Sequence, residues 1–438
     1  MTWPTHRVCR DSEVSWLGNV PNGWQIDRLK YAFKRIQRSY SADAETVTAF
    51  RDGVVTARSN RRTDGFTEAD KYIGYQGIEP GDLAIHAMDG FAGAIGVSDS
   101  SGKCSPVVSV CQPEAGIDPH YYAHILRHVA RSGYLTSIAK GIRERSTDFR
   151  WADARELMVP FPSEVEQQAI VSFLDRETAK IDVLVAKQEQ LIATLREDRT
   201  ATITHAVTKG LDPDVEMAPS GDTTLPASPL HWKRRVPLKH VASVQTGITL
   251  GKSVDPSEAV SLPYLRVANV QAGAVNLDEV KAVEVRQAEV GNYLLRAGDV
   301  LMTEGGDIDK LGRGCLWTGE IAPCIHQNHV FAVRCTDDLD GSFLVYLLDT
   351  AVARNYFFMT AKKTTNLAST NSTTLGRFYF SLPPRGEQRE IVNFLDERCG
   401  RIDALIAKAN EMINTLREYR SALITDAVTG KIDVRGAA

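Results

Sequence analysis

The sequence has no run of about 18 apolar residues, so no stretch of it reads as a membrane-spanning helix. Its opening, Met1-Thr2-Trp3-Pro4-Thr5-His6-Arg7, lacks the apolar core of a secretory signal. Seven cysteines (Cys9, Cys104, Cys111, Cys315, Cys324, Cys335, Cys399) include no C-x-x-C pair. An odd number without close spacing argues against a disulfide framework or a zinc ribbon and fits a reducing, cytoplasmic setting. Catalytic signatures are missing as well. No serine sits in G-x-S-x-G, and neither a G-x-G-x-x-G nor an N-P-P-[YF] motif occurs. Residues 246–253 approach the phosphate-loop pattern G-x-x-x-x-G-K-[ST], but its first position is Thr246, so a strand-end turn is expected there. His326 and His329 lie three apart, which in a strand puts them on opposite faces and favours hydrogen bonding over metal ligation. Glu304-Gly305-Gly306-Asp307 reads as a tight Asx-type turn rather than a cation site. Nothing in this inventory assembles an active site.

What is present is a long chain of ordinary globular texture. Its 438 residues exceed one compact unit, and 43% hydrophobic with 24% charged residues excludes wholesale disorder. The net charge of −4 is a poor advertisement for nucleic-acid binding, but its distribution is uneven. Segment 160–228 carries about −6, while 1–159 and 229–381 carry about +1 each and 382–438 about 0. The acidity is therefore confined to one segment, and two others are free to carry a basic face.

The strongest signal is a duplication. Residues 166–208 align without a gap on 387–429, at an offset of 221, with 24 of 43 positions identical. Glu166-Gln167 repeats as Glu387-Gln388, Phe173-Leu174-Asp175 as Phe394-Leu395-Asp396, and Ala206-Val207-Thr208 as Ala427-Val428-Thr429. Each copy reads as one helix. Ser163 with Glu166 three residues on is a capping box, and Gly210 before Asp212-Pro213 is a stop. A helix of about 45 residues would span about 65–70 Å. Its apolar residues fall near a 3.5-residue repeat. Leu174, Ile181 and Leu195 take one heptad position, with Leu184 and Leu191 on the other. The second copy places Leu395, Ile402, Leu416 and Leu423 on the first, with Leu405 and Met412 on the second. One apolar stripe wants a partner, and the economical partner is the other copy.

Shorter echoes extend the repeat. Pro21-Asn22-Gly23-Trp24 parallels Pro229-Leu230-His231-Trp232, and Gly81-Asp82 parallels Gly298-Asp299. Asp118, Tyr121 and Leu126 parallel Asp340, Phe343 and Leu348. The chain divides into a variable domain (1–159), a helix (160–212), a linker (213–228), a second variable domain (229–381), and a second helix with a tail (382–438). The variable domains show short β runs with polar, basic loops between them. Two similar frames with divergent filling suggest two similar tasks on two targets. Candidate contact residues are Arg58, Arg61 and Arg62 with Arg143 and Arg145 in the first domain, and Lys310, Arg313, Lys362, Lys363, Asn366 and Asn371 in the second. Arg suits guanine edges and phosphates, Asn suits adenine, and Lys suits phosphates.

These residues resemble the DNA specificity subunits of type I restriction-modification systems across nearly the whole chain. The two Glu-Gln…Phe-Leu-Asp runs and their Ala-Val-Thr endings resemble the family's two conserved regions. Residues 303–307, 312–314 and 326–331 resemble one recurrent type of target-recognition domain. Only the second domain opening departs, since Ala227-Ser228-Pro229-Leu230-His231-Trp232 keeps the Pro and Trp of Trp16-Leu17-Gly18-Asn19-Val20-Pro21-Asn22-Gly23-Trp24 but lacks the preceding Trp-Leu-Gly. The resemblance implies an α+β chain of two tandem α/β target-recognition domains, separated by two long helices that pair as an antiparallel coiled coil with pseudo-twofold symmetry. It implies that each domain reads half of a split site in double-stranded DNA, and that the helices set the spacer and dock two methyltransferase subunits. Two motor-nuclease subunits would join for restriction. The chain itself would be non-catalytic and carry no cofactor, with S-adenosylmethionine, ATP and Mg acting in the partner subunits, and it would have no membrane contact. Two other classes stay open: a coiled-coil scaffold or degenerate subunit without DNA contact, and a methyltransferase with a fused recognition domain, for which the motifs are absent.

Overall fold

The computed structural model describes residues 3–61, 73–134, 149–220, 227–251, 254–306, 311–363 and 368–436. The chain folds into two compact units, one built from two separate stretches, Met1–Gln188 with Glu411–Ala438, and one continuous, Glu189–Asn410. Each unit thus holds one variable domain, part of the central helix (Glu164–Lys209) and part of the C-terminal helix (Arg385–Val428).

The two units share one framework. In the first, an antiparallel four-stranded sheet runs in the order Phe33–Arg35, Val108–Pro113, Leu83–His86, Ile95–Val97. In the second, the order is Ala242–Thr246, Val330–Cys335, Val300–Thr303, Gly314–Leu316. A Gly-Asp turn feeds the same strand in both: Gly81 and Gly298 have φ near +90°, a conformation that costs glycine little. The aspartate that follows caps its own turn and binds an arginine, Arg38 Nη1 to Asp82 Oδ2 at 2.6 Å and Arg334 Nη2 to Asp299 Oδ2 at 2.7 Å. A helix starting at an aspartate N-cap covers the sheet, Pro119–Arg131 after Asp118 and Gly341–Leu348 after Asp340. A two-stranded ribbon leads into each long helix, Gln25–Arg28 with Met158–Phe161 and Lys233–Pro237 with Tyr379–Leu382.

The frame of the second domain starts earlier than its Pro-Leu-His-Trp run. Met217–Pro219 pairs with Ala227–Pro229 as Cys9–Asp11 pairs with Asn19–Pro21, so the stretch 213–228 contains a strand of the repeat.

The long helices begin as their caps dictate. The Ser163 hydroxyl accepts from Glu166 N, and Glu166 Oε2 accepts from Ser163 N. Gly210 ends the central helix in the left-handed region (φ +79°). The helices pair antiparallel. Arg420 meets Asp182 at 3.3 Å in the first unit, and Arg199 meets Asp403 at 3.0 Å in the second; these are the same contact under the 221-residue offset. In the first unit Ile170, Phe173, Leu174 and Ile181 share a core with Leu423, Ile424, Ala427 and Val428. In the second, Ile203, Ala206 and Val207 share one with Ile391, Leu395 and Cys399.

The seam differs from the expected one at its second position. Leu174, Ile181, Leu395 and Ile402 are buried, and Leu195 and Leu416 are half-buried. Leu184, Leu191, Leu405 and Met412 are 44–52% exposed. The companion seam position lies four residues after Leu174 and Leu395, not three. It runs through Thr178, Val185, Ile192 and Arg199, and through Cys399, Ile406, Ile413 and Arg420. Positions three and four residues on are equally apolar in the middle of each helix, so periodicity does not separate them. Among the described residues, no helix is long and apolar enough to cross a membrane.

Candidate nucleic-acid interface

In the second unit three separate sequence segments form one small structure. Lys362–Lys363 pairs antiparallel with Ala368–Ser369, which pairs in turn with Gly305–Gly306. Thr370 N donates to Glu304 O at 2.8 Å, and the Glu304 carboxylate meets His329 Nδ1 at 2.6 Å. The tight turn after Thr303, the His326/His329 segment and the lysine strand are therefore neighbours. Lys362 and Lys363 are exposed, and the Lys363 ammonium lies 3.8 Å from the centre of the Phe358 ring.

The near-phosphate-loop segment belongs to the same assembly as backbone. Strand Ala242–Thr246 ends at Gly247, and Ile248 bridges to Gln327, with Ile248 N donating to His326 O at 2.8 Å. A Cβ at Gly247 would run into that carbonyl, so glycine is there for close approach. The two histidines have different partners. His326 is fully buried, its Nδ1–H donates to Val330 O at 2.6 Å, and burial lowers its pKa. His329 is exposed and held by Glu304. Among the described residues, no three His, Cys, Asp or Glu side chains converge as a metal site.

Two further candidates of this unit have structural work. Asn371 is an N-cap: its Oδ1 accepts from Thr374 N at 2.8 Å, opening helix Ser372–Gly376, which leaves only its amide NH2 for a base. Arg313 is half-buried and lines a cavity of about 430 Å³ with Arg199, Tyr346, Asp349 and Asp396. There the Tyr346 hydroxyl donates to Asp396 at 2.6 Å, and Arg199 binds Asp349 at 3.1 Å as well as Asp403. Lys310 and Asn366 lie outside the described residues.

In the first unit, Arg58 and Arg61 follow the hairpin Val47–Ala49/Val55–Ala57. Arg58 Nε donates to Thr48 Oγ1 at 3.0 Å, which braces it against the hairpin. Arg61 is exposed, pairs with Asp52 at the hairpin tip and stacks 4.4 Å over the Phe50 ring. Arg51 at the same tip binds Asp89 at 2.8 Å. Arg62, Arg143 and Arg145 lie outside the described residues. Sequence reasoning missed Arg51 and Phe50, which only the hairpin fold joins to Arg61.

Four thiols are not poised for nucleophilic chemistry. Burial pushes Cys104, Cys315 and Cys335 up to about 12 and Cys324 up to about 11.

Two recognition domains on one repeated frame, with different basic loops, match a known architecture. Residues 229–415 match the family described as type I restriction modification DNA specificity domain. That match spans the second variable domain and part of the C-terminal helix. The EcoKI specificity subunit of Escherichia coli K12 is 22% identical over 438 aligned residues, covering 95% of this chain and 90% of that protein. The StySPI specificity subunit of Salmonella potsdam is 22% identical, covering 82% of this chain and 76% of that protein. Among solved structures, the HsdS subunit from Thermoanaerobacter tengcongensis superposes with a TM-score of 0.54 at 18% identity, covering 94% of this chain and 98% of that one. A chain from a study of complex assembly and conformational transition of the type I R-M system reaches 0.69 at 18% identity, covering 93% and 98%. The shared fold is that of type I specificity subunits: mixed helix and sheet, with a long helix pair.

Proposed function

We propose that this chain supplies DNA sequence specificity to a type I restriction-modification complex, each recognition domain reading one half of a split site. The observation that carries this reading is the pairing of one framework with two unlike sets of basic loops. The common frame presents both domains alike, and the unlike loops give each its own bases to read. The continuous helices, 46 and 44 residues long, set the unspecified spacer between the half-sites.

The helices also dock two methyltransferase subunits. The apolar positions left outside the seam support this: Leu184 and Met412 in the first unit, Leu191 and Leu405 in the second. They repeat at the 221-residue offset, as two copies of one partner require. The chain is non-catalytic. S-adenosylmethionine, ATP and Mg act in the methyltransferase subunits and in two motor-nuclease subunits, and the complex works on DNA in the cytoplasm.

The test is single-molecule methylation sequencing of a plasmid from cells expressing the chain with its cognate methyltransferase, against methyltransferase alone. A new split motif with methylated adenine on both strands is expected. Exchange of residues 1–159 should alter one half of that motif and leave the other. A stable complex that adds no motif would sink the reading and leave a scaffold.

A further inference from the structure

The repeat makes one place in the two units directly comparable, and there the charge differs. Offsets of 221 along the long helices and 222 along the covering helices, counted from their aspartate N-caps, pair Arg420 with Arg199 and Arg127 with Asp349. The same register pairs His124 with Tyr346 and His120 with Ser342. In the second unit the arginine is neutralised: Arg199 binds Asp349 and Asp403, and Asp396 holds the Tyr346 hydroxyl. In the first unit the position that corresponds to Asp349 is itself an arginine, Arg127.

The local geometry gathers cations. His120, His124, Arg127 and Arg131 follow one another at intervals of four, three and four along helix Pro119–Arg131, so they share a face. That helix is fixed to the C-terminal helix by Tyr121 Oη donating to Val428 O at 2.9 Å and by the 3.0 Å contact between His128 Nδ1 and Thr425 Oγ1. Arg420 lies on the same stretch of that helix. Arg127 packs on the hairpin tip, where a Cβ on Gly53 would overlap its guanidinium. Arg131 reaches Gly93, 3.8 Å from a Cβ built there. Among the described residues, two nearby carboxylates are already engaged, Asp182 with Arg420 and Asp52 with Arg61. Arg127 Nε is buried and, among the described residues, has no hydrogen-bond partner. Burial, then the neighbouring arginines, push Arg127 down to about 10 and His124 to about 3, so at neutral pH Arg127 is charged and His124 is not.

We propose that Arg127, Arg131 and Arg420 form a phosphate-binding cluster, occupied by the backbone of the bound DNA beside the first recognition domain and without counterpart in the second. Guanidinium groups present paired N–H donors that match phosphate oxygens, and three in one place outweigh the engaged carboxylates. Continuity favours DNA as the source of the phosphate. The hairpin whose tip touches Arg127 is the one that carries Arg51 and leads to Arg58 and Arg61. The inference rests on the specificity reading and adds an asymmetry to it. The first half-site is held with more counterion release than the second.

The experiment measures the affinity of the full chain with its methyltransferase subunits for DNA bearing the methylated motif, from low to high salt. Arg131→Ala should lower the slope of log K against log salt by about 0.9, and the Arg127→Lys/Arg131→Ala pair should lower it at least as far. The methylated motif should stay the same, because phosphate contacts carry no sequence information. Arg401→Ala, which removes an exposed charge from the C-terminal helix elsewhere, should leave the slope unchanged. An unchanged slope for a folded Arg131→Ala, an altered motif, or a loss of methyltransferase binding with DNA affinity intact would each overturn the cluster. Failure of the unaltered complex to retain DNA at low salt would overturn the specificity reading itself, and the cluster with it.

Discussion

A buried glutamine ties each recognition domain to its long helix. Gln167 is 1% exposed and Gln388 is fully buried. Gln388 Oε1 accepts from Asp340 N at 2.7 Å, and its amide donates to Pro383 O at 2.9 Å and Asp338 O at 2.8 Å. Gln167 does the same with Asp118 N, Pro162 O and Gly116 O. Alanine at Gln388 would leave three backbone groups without this partner, the buried Pro383 O among them, with an expected cost of about 1–3 kcal/mol, read as a lower denaturation midpoint of the second unit. The sequence marks these glutamines as repeated, but nothing in it says that they are buried. At the tail, Asp433 accepts from Arg435, which first of all holds its carboxyl down to about 2, and its own N–H donates to Pro4 O at 2.7 Å. A depressed carboxyl stabilises the fold above its ordinary pKa of 3.8 and loses that contribution as the pH falls through about 2. Acid titration of Asp433→Asn, followed by near-ultraviolet circular dichroism, should lack that component.

At the scale of the element, the helices divide their apolar residues between two jobs. Leu174 and Leu395 are fully buried in the seam, where truncation to alanine should cost about 2–5 kcal/mol. Leu184 and Met412 are 46% exposed and take no part in the seam. Leu184→Glu with Met412→Glu should leave thermal stability within about 0.5 kcal/mol while abolishing co-purification of the methyltransferase, since surface changes away from packing are nearly neutral. Loss of folding in that double variant would return these residues to the core. The heptad pattern revealed the helices and their pairing but not which flank of the fixed position faces the partner. Both flanks carry Leu, Val, Ile or Met, and a register one residue away satisfies the same period. The caps of the central helix were legible because each needs only local residues: Ser163 with Glu166, and Gly210.

On the whole-molecule scale, the first unit borrows one helix segment from the far part of the chain. The first unit's core contains Ile424, Ala427 and Val428. Their repeat counterparts, Ile203, Ala206 and Val207, sit in the second unit's core. A fragment of residues 1–212 therefore lacks part of its own core and carries an equivalent of it on its own helix. It should self-associate as a dimer, measured by light scattering, with each copy supplying the segment the other lacks. A folded monomer would show that the borrowed segment is dispensable.

The sequence by itself determined the duplication, the long helices with their caps, the repeated Gly-Asp turns, and the division into like frames with unlike loops. All of these rest on contacts close in the chain or on comparison of the chain with itself. Tertiary structure decided the rest. It turned Asn371 into a cap, buried His326, paired Arg61 with Asp52, chose the seam, and bound Arg199 to Asp349 where the other copy has Arg127 in place of the acid. Each of these depends on which residues far apart in the chain share a volume, and local propensity carries no term for that.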